Sequence, residues 1–205
     1  VEVDPGLLEH PEIRVIAMWT ALRSIQFQAI AAGGGPFHAT LAAHQGRGVL
    51  IAAPAGMGKS TCYRRLPPPW EPLCDDYALV VQHGPGQYAA HPFPTFSEYL
   101  ESKSSRTWLC CRSAPLSAVF FLEQGNVDHV EPLAPHQMLA MLFDAQQQLL
   151  STVLSRLDPV VAQDLRARLF ENACAMAGAV SAYRLTATLT GRFWEHIGAV
   201  LPHCP

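Results

Sequence analysis

Between residues 11 and 31, Ile13, Ile16, Trp19, Leu22 and Ile25 recur every third position, while Arg14, Arg23 and Gln28 fall elsewhere. That spacing predicts a helix packing one face on a core. Pro11 suits its first turn, and Gly33, Gly34 and Gly35 stop it. Two apolar runs follow, 37–43 and 49–52, separated by His44-Gln45-Gly46-Arg47-Gly48, and read as two strands joined by a turn. A glycine-bearing loop at 54–59 precedes a short helix over 60–66, which Pro67, Pro68 and Pro69 cut off. A short strand is expected around Asp75 and Asp76, and an extended piece over 88–94, where Pro92 and Pro94 favour an edge. SAVFFL at 117–122 reads as a buried strand. Helices are predicted over 135–157 and 159–176, a strand over 179–185 and a last helix over 191–201. Strands and helices alternating around one glycine loop predict an α/β fold with a mixed sheet and C-terminal helices. The chain divides into a helical segment (1–33), a sheet core (34–130) and a mainly helical remainder (131–205) of one domain.

Composition narrows the function classes. The 205 residues are 49% hydrophobic and 15% charged, enough for a real core and far from a disordered chain. A formal net charge of −3 argues against nucleic acid or an anionic membrane as the main partner. No apolar run approaches the ~18 residues of a membrane span. The six cysteines show no C-x-x-C spacing, and adjacent Cys110 and Cys111 make a poor structural disulfide. A reduced, cytoplasmic protein is the expectation. Cys110, Cys111 and Trp108 read as core. The cations are 12 Arg and only 2 Lys, and one of those lysines is Lys59.

Lys59 sits in GVLIAAPAGMGKST, residues 48–61, where an apolar strand runs into Ala53-Pro54-Ala55-Gly56-Met57-Gly58-Lys59-Ser60 and a helix begins. This follows the plan G-x-x-x-x-G-K-[ST] of a nucleotide phosphate loop (Walker A), with Ala53 in place of the first glycine. Gly56 and Gly58, flanking Met57, let backbone N–H groups approach phosphate oxygens without a side chain in the way. The helix that follows directs its positive end at the same oxygens. Lys59 supplies a point charge to the β- and γ-phosphates of ATP, Ser60 a hydroxyl to Mg²⁺, and Thr61 a hydrogen bond to the α-phosphate. Ala53 requires a backbone conformation that a Cβ accepts.

Leu73-Cys74-Asp75-Asp76-Tyr77-Ala78-Leu79 places two carboxylates in an apolar stretch shortly after the loop. Successive strand residues face opposite ways, so the pair is expected to divide two tasks. One carboxylate can take a proton from an attacking hydroxyl, and the other can hold Mg²⁺. His38 opens the strand before the loop, His91 lies in the rigid HPFPT segment, and Glu123 ends SAVFFLE in the manner of a second metal acid.

HATLAAHQGRGVLIAAPAGMGKST followed by LCDDYALVV resembles the catalytic domain of the HPr serine kinase/phosphorylase family, whose nucleotide region is similar to phosphoenolpyruvate carboxykinase. PLSAVFFLEQG with VEPLAPHQMLAML resembles the small HPr-kinase-like proteins found beside peptide-modifying enzymes, and STCYRRLPPPWEPLCDD and AHPFPTFS resemble more particularly the kinase-like member of the SynChlorMet cassette, which travels with radical-SAM enzymes and a PqqD-like peptide carrier. The resemblance covers roughly residues 34–145. It implies that Gly56, Met57, Gly58, Lys59, Ser60 and Thr61 bind ATP with Mg²⁺. It further implies that Asp75 is the base facing the acceptor hydroxyl with His38 beside it, and that Asp76 supports the metal. AAHPFPT stands where the family carries a glutamate-bearing signature, so the resemblance does not extend to phosphorylase activity or to HPr as substrate. His91 and Glu98 are then the candidates for a second metal ligand.

The resulting expectation is an ATP-dependent kinase acting on a Ser or Thr hydroxyl of a small peptide or protein, with a homo-oligomer allowed. A small-metabolite kinase is the alternative within enzymes. A nucleotide-dependent peptide-binding accessory protein is the alternative outside them, and a second, desolvated carboxylate argues against it.

Overall fold

The structure, a computed structural model, describes residue 6 and residues 10–95 and 108–201. Helix α1 (Pro11–Ala31) has proline in its first turn and ends where Gly33 N–H donates to Ile30 O and Gly34 N–H to Ala29 O, the two bonds of a Schellman stop. The extent expected from the sequence is the extent observed, but the expected face is not the buried one. Ile16, Trp19 and Ile25 are exposed, and Val15, Ala29 and Ile30 are buried instead, because α1 meets the sheet near its C-terminal end, where Ala29 packs on Leu79 and Phe93. Strands β1 (Gly35–His44) and β2 (Arg47–Ala52) then form a hairpin in register His44↔Arg47. Gln45 and Gly46 turn it with φ of 51° and 75°, the positive pair that matches the twist of a two-residue hairpin. The remaining elements are α2 (Lys59–Arg65), β3 (Glu71–Cys74), β4 (Tyr77–Gly84), β5 (Gln87–Pro92), β6 (Ala114–Gln124), β7 (His129–Pro132), α3 (Pro135–Leu154), α4 (Pro159–Ala177), β8 (Ser181–Ala187) and α5 (Phe193–Val200).

The class is α/β with a mixed sheet and C-terminal helices. Two long strands serve two neighbours on one side. The first half of β1 pairs with β4 and its second half with β3, while β2 lies along its other edge. β6 runs parallel to both β2 and β8, and its start meets β5. The order β2-β1-β4-β5-β6 therefore closes through the β2–β6 pairing, and β8 and β7 extend beyond it.

Alternation along the strands splits the core into two faces. Leu41, Leu50, Val119 and Phe121 turn toward Met138 and Leu142 of α3 and Ala173 and Met176 of α4. Val49, Ile51, Phe120, Leu122 and Leu185 turn the other way, toward Cys62 and Leu66 of α2 and Phe193 and Ile197 of α5. β6 is covered on both faces, which is why SAVFFL is apolar without a break. α1 lies over β4, where Ala29, Leu79 and Phe93 meet, and its end is fixed by Asn172 Nδ2 of α4, which donates to Ile30 O at 2.7 Å and Gly34 O at 3.0 Å.

Three sequence expectations need correction. The strand expected around Asp75 and Asp76 is two strands with a bend between them at those residues. HVEP, unassigned by periodicity, forms β7 against β8. Cys110 and Cys111 are exposed, not core, in a polar turn bounded by Arg112 and Ser113; Trp108 is partly buried against the α3–α4 face of the sheet.

Gly34 is the tightest point of this architecture. A Cβ there would stand 1.9 Å from Val80 O, a backbone atom that cannot rotate away. Gly34→Ala should therefore cost about 3 kcal/mol or more by overpacking, roughly 6–12 °C in melting temperature for a domain of this size. Thermal unfolding followed by circular dichroism checks it, and an unchanged midpoint would show that β1 and β4 can separate at that point.

Candidate functional site

The site begins with an opening in a strand ladder. His38 pairs with Tyr77 and Leu41 with Cys74, so the same number of residues separates the partners on each strand. Nothing is inserted, yet the chain bends at Asp75 and Asp76, opposite Ala39 and Thr40. Thr40, fully buried, fills the gap: its hydroxyl is shared between Asp75 O and Lys59 O, each at 3.2 Å. One side chain thus ties the acidic bend to the first residue of α2.

The loop between β2 and α2 carries its conformation in two glycines. Gly56 has φ 79° and Gly58, the residue before α2, φ 99°. No atom lies within 4 Å of where a side chain would begin at either, so glycine is required there by the backbone and the mouth of the loop is open. Ala53 adopts no positive φ, and its Cβ is tolerated as expected. Met57 and Gly58 are half-buried, while Ser60 and Thr61 expose their hydroxyls in the first turn of α2. Lys59 is 6% exposed. Its Nζ donates to Ala53 O at 2.8 Å and Pro54 O at 3.1 Å, which leaves one of an ammonium's three donors for another oxygen. Burial pulls its pKa below the usual lysine range, and the charges of Asp76 and, less, Asp75 oppose that pull.

Both carboxylates thus act electrostatically on the same lysine, and the bend holds them outside the regular pleat of β3 and β4. His38 finds a different partner from the one expected. Its Nε2 stands 3.0 Å from Oδ1 of Asp76, not beside Asp75, because the register sets His38 opposite Tyr77, the residue next to Asp76. The Tyr77 ring packs on the imidazole at 5.6 Å between centroids. Burial, then the Asp76 charge, raises the Tyr77 pKa.

A cleft of about 360 Å³ opens beside the loop, between α2 and the carboxyl ends of β6 and β8. Met57, Gly58 and Thr61 line one side; Gln124, Asn126 and Thr188 line the other. β2, β6 and β8 run parallel, and the crevice outside the carboxyl ends of parallel strands is where open α/β sheets take ligands. Arg65 closes the back. Its Nη1 donates to Thr188 O at 2.7 Å, its Nη2 donates to Gly191 O, and its guanidinium lies over the rings of Phe193 and Trp194. Buried Asp128 accepts from Thr188 N–H at 2.6 Å on one oxygen. Burial pushes the Cys62 thiol in this wall up to about 11, with Arg65 opposing and Asp128 adding.

The structure therefore gathers Gly56, Met57, Gly58, Lys59, Ser60, Thr61, Asp75, Asp76 and His38 in one region. It does not bring in His91, which lies on β5 across from Leu79 with His83 as its ring neighbour at 6.4 Å. Glu123 is exposed and pairs with Arg184 at 3.2 Å. Glu98 lies outside the described residues. Among the described residues, no group of three or more His, Cys, Asp or Glu converges as a metal cage. The sequence reading missed Thr40, although a lone hydroxyl two residues after His38 in an apolar strand was a signal. It also missed Arg65 and Asp128, whose partners are distant in the chain.

If Thr40 is the tie, Thr40→Val takes its donor from the buried carbonyl of Lys59 and the half-buried carbonyl of Asp75 in an otherwise isosteric side chain. The expected loss is about 1–3 kcal/mol, measured by urea unfolding, with Thr40→Ser restoring most of it. A Val variant as stable as the parent would show that the bend is held by other contacts.

No curated protein matches the chain. Residues 7–202, nearly its full length, match the family described as SynChlorMet cassette protein ScmC. The loop, the acidic bend and the cleft all fall within that span, and the chain belongs to the ScmC family of SynChlorMet cassette proteins.

Proposed function

We propose that this protein is an ATP-dependent kinase, with an HPr-kinase-like phosphate loop, that passes the γ-phosphate to a Ser or Thr hydroxyl of a small peptide or protein. The observation that carries the reading is the joining of an open two-glycine loop, its buried lysine and two carboxylates through Thr40. A module that only binds nucleotide has no need of the second carboxylate. Membership of a cassette family is consistent with a substrate supplied by neighbouring cassette proteins, including a radical-SAM enzyme and a PqqD-like peptide carrier.

In this reading the loop amides from Gly56 to Lys59 bind the phosphates, the remaining Lys59 donor meets the β- or γ-phosphate, and Thr61 meets the α-phosphate. The cleft toward β8 receives the nucleoside. The donors here are a hydroxyl and carboxylates, the hard oxygens that Mg²⁺ prefers, and two such ligands suffice because substrate phosphates and water complete its shell. Ser60 and Asp76 would hold the ion, which when bound would neutralise phosphate charge. His38 orients Asp76 through its 3.0 Å contact. Asp75 accepts the proton of the acceptor hydroxyl as that oxygen bonds to phosphorus. Alignment and charge supply most of the catalysis, as in other phosphoryl transfers.

Lys59→Ala should abolish turnover and weaken ATP affinity while leaving the unfolding cooperative; calorimetry with Mg²⁺–ATP tests it, and unchanged affinity removes the loop from the reading. Mg²⁺–ADP at ~100 times its dissociation constant should add about 2.7 kcal/mol of stability, visible as a raised melting temperature that Lys59→Ala loses.

The two carboxylates should differ. Asp75→Asn keeps nucleotide affinity and lowers transfer by roughly 10²–10⁴-fold, the usual contribution of a general base. Asp76→Asn raises the Mg²⁺ requirement, and His38→Phe follows it in the same direction because it acts through Asp76. A Mg²⁺ series on all three separates these outcomes. Transfer lost in Asp76→Asn at saturating Mg²⁺, with Asp75→Asn shifting only the metal requirement, reverses the roles.

A further inference from the structure

A cavity of about 280 Å³ that the nucleotide reading does not use has Tyr77 in its wall. Trp19, Leu22 and Arg23 of α1, Tyr77, Phe93 after β5 and Leu149 of α3 line it. Of its eleven lining residues three are aromatic, four are aliphatic or proline, and four are polar, Arg23 and Gln26 of α1 with Thr95 and Thr152. Arg23 is half-buried, and among the described residues it has no carboxylate within 4.0 Å. A cation kept partly from water without a counter-ion favours an anion brought by a ligand.

Its position matters as much as its lining. Tyr77 is both a wall of the cavity and the residue after Asp76, and its ring packs on His38, which in turn meets Asp76. Anything seated in the cavity is therefore a neighbour of the acidic bend. The surface continues outward along α1. Ile16, Trp19, Arg23 and Gln26 follow helical spacing on one side, and Ile16 and Trp19 are 62% and 42% exposed. A ligand no larger than the cavity would leave that apolar row in water. An extended peptide would cover it while placing one side chain inside.

We infer that this cavity receives an apolar side chain, aromatic by preference, of the acceptor peptide, with Arg23 meeting a carboxylate of the same peptide. The inference rests on the reading of Asp75 and Asp76 as the transfer site, since it supplies the subsite that brings a neighbouring hydroxyl there. The recognition is that of a phenyl ring stacked among Trp19, Tyr77 and Phe93 with a charge-assisted hydrogen bond at its rim.

The test uses N-acetyl-phenylalanyl-serine, which carries a ring, a hydroxyl and a carboxylate, against N-acetyl-alanyl-serine and the phenylalanyl peptide amidated at its carboxyl end. Binding is read by ligand-observed NMR, and phosphate incorporation by mass spectrometry with Mg²⁺–ATP. The phenylalanyl peptide should bind ~10–100-fold more tightly than the alanyl one, the value of burying a phenyl group. Amidation should weaken it several-fold, and Arg23→Gln should erase that difference. Leu149→Trp fills the cavity and should abolish the preference for phenylalanine with Mg²⁺–ADP affinity unchanged; Trp19→Ala, at the exposed rim, should reduce it without risk to folding. Equal binding of the phenylalanyl and alanyl peptides, or a preference that survives both Leu149→Trp and Trp19→Ala, overturns the inference. A dimer in sedimentation that Leu149→Trp breaks, with no discrimination between peptides, overturns it in favour of a second copy of this chain. Discrimination that follows the variants with no phosphate on the serine overturns the kinase reading and not the cavity. Phosphate passed equally to both peptides overturns the cavity and not the kinase reading.

Discussion

The arrangement of this protein depends on a hydroxyl in the wrong kind of place. Thr40 is buried in a strand whose neighbours are alanine and leucine, and a buried hydroxyl must find a partner. It finds two carbonyls, one on the acidic bend and one at the start of α2. The ladder between β1 and its neighbour opens at that point, and the opening frees Asp75 and Asp76 from the alternation that would have sent one of them into the core. Lys59 then feels both charges from a position where burial lowers its pKa and the two carboxylates oppose that shift. The lysine, the carboxylates and the threonine form one electrostatic unit, each acceptable in its surroundings because of the others.

The strands around this unit explain why it holds its shape. β1 is clasped on one edge by β2 and on the other by β3 and β4 in succession. The strands on either side of the bend at Asp75 and Asp76 are therefore both anchored on β1, and Thr40 joins the bend to the end of the loop. α1 adds a cover over β4 and, through Asn172, is locked to α4. The open elements are those that would meet ligands: the loop mouth, the first-turn hydroxyls and the rim of the α1 cavity.

How much of this could be read in the sequence follows from how local each cause is. α1 has its proline and its glycine stop in one segment, so its extent was legible. The face it buries was not, because Ile16, Trp19 and Ile25 of its apolar row are exposed and Ala29 near its end makes the contact to β4. The loop was legible for the same reason, since Gly56 and Gly58 set their own dihedrals. The break at Asp75 was not, because its cause sits on β1, outside the segment that bends. β7 is only HVEP, too short and too polar to show a period. Cys110 and Cys111 misled because cysteine usually marks a core, whereas here Arg112 and Ser113 beside them keep the turn in water. The cleft wall made by Arg65, Asp128 and Thr188 joins residues more than a hundred positions apart, and no pattern within a window reports it.

That wall has a consequence for how the molecule is made. The loop and α2 leave the ribosome early, but the parallel partner of β2 comes with β6, and the far side of the cleft only with β8 and α5. Contacts so distant in sequence are closed late in folding. The glycine motif can therefore be complete while the cleft beside it still lacks the wall that β6 and β8 supply. The cleft is completed in one step, when β8 docks beside β6 and Thr188 meets Arg65 and Asp128, so its shape reports whether the second half of the sheet has folded.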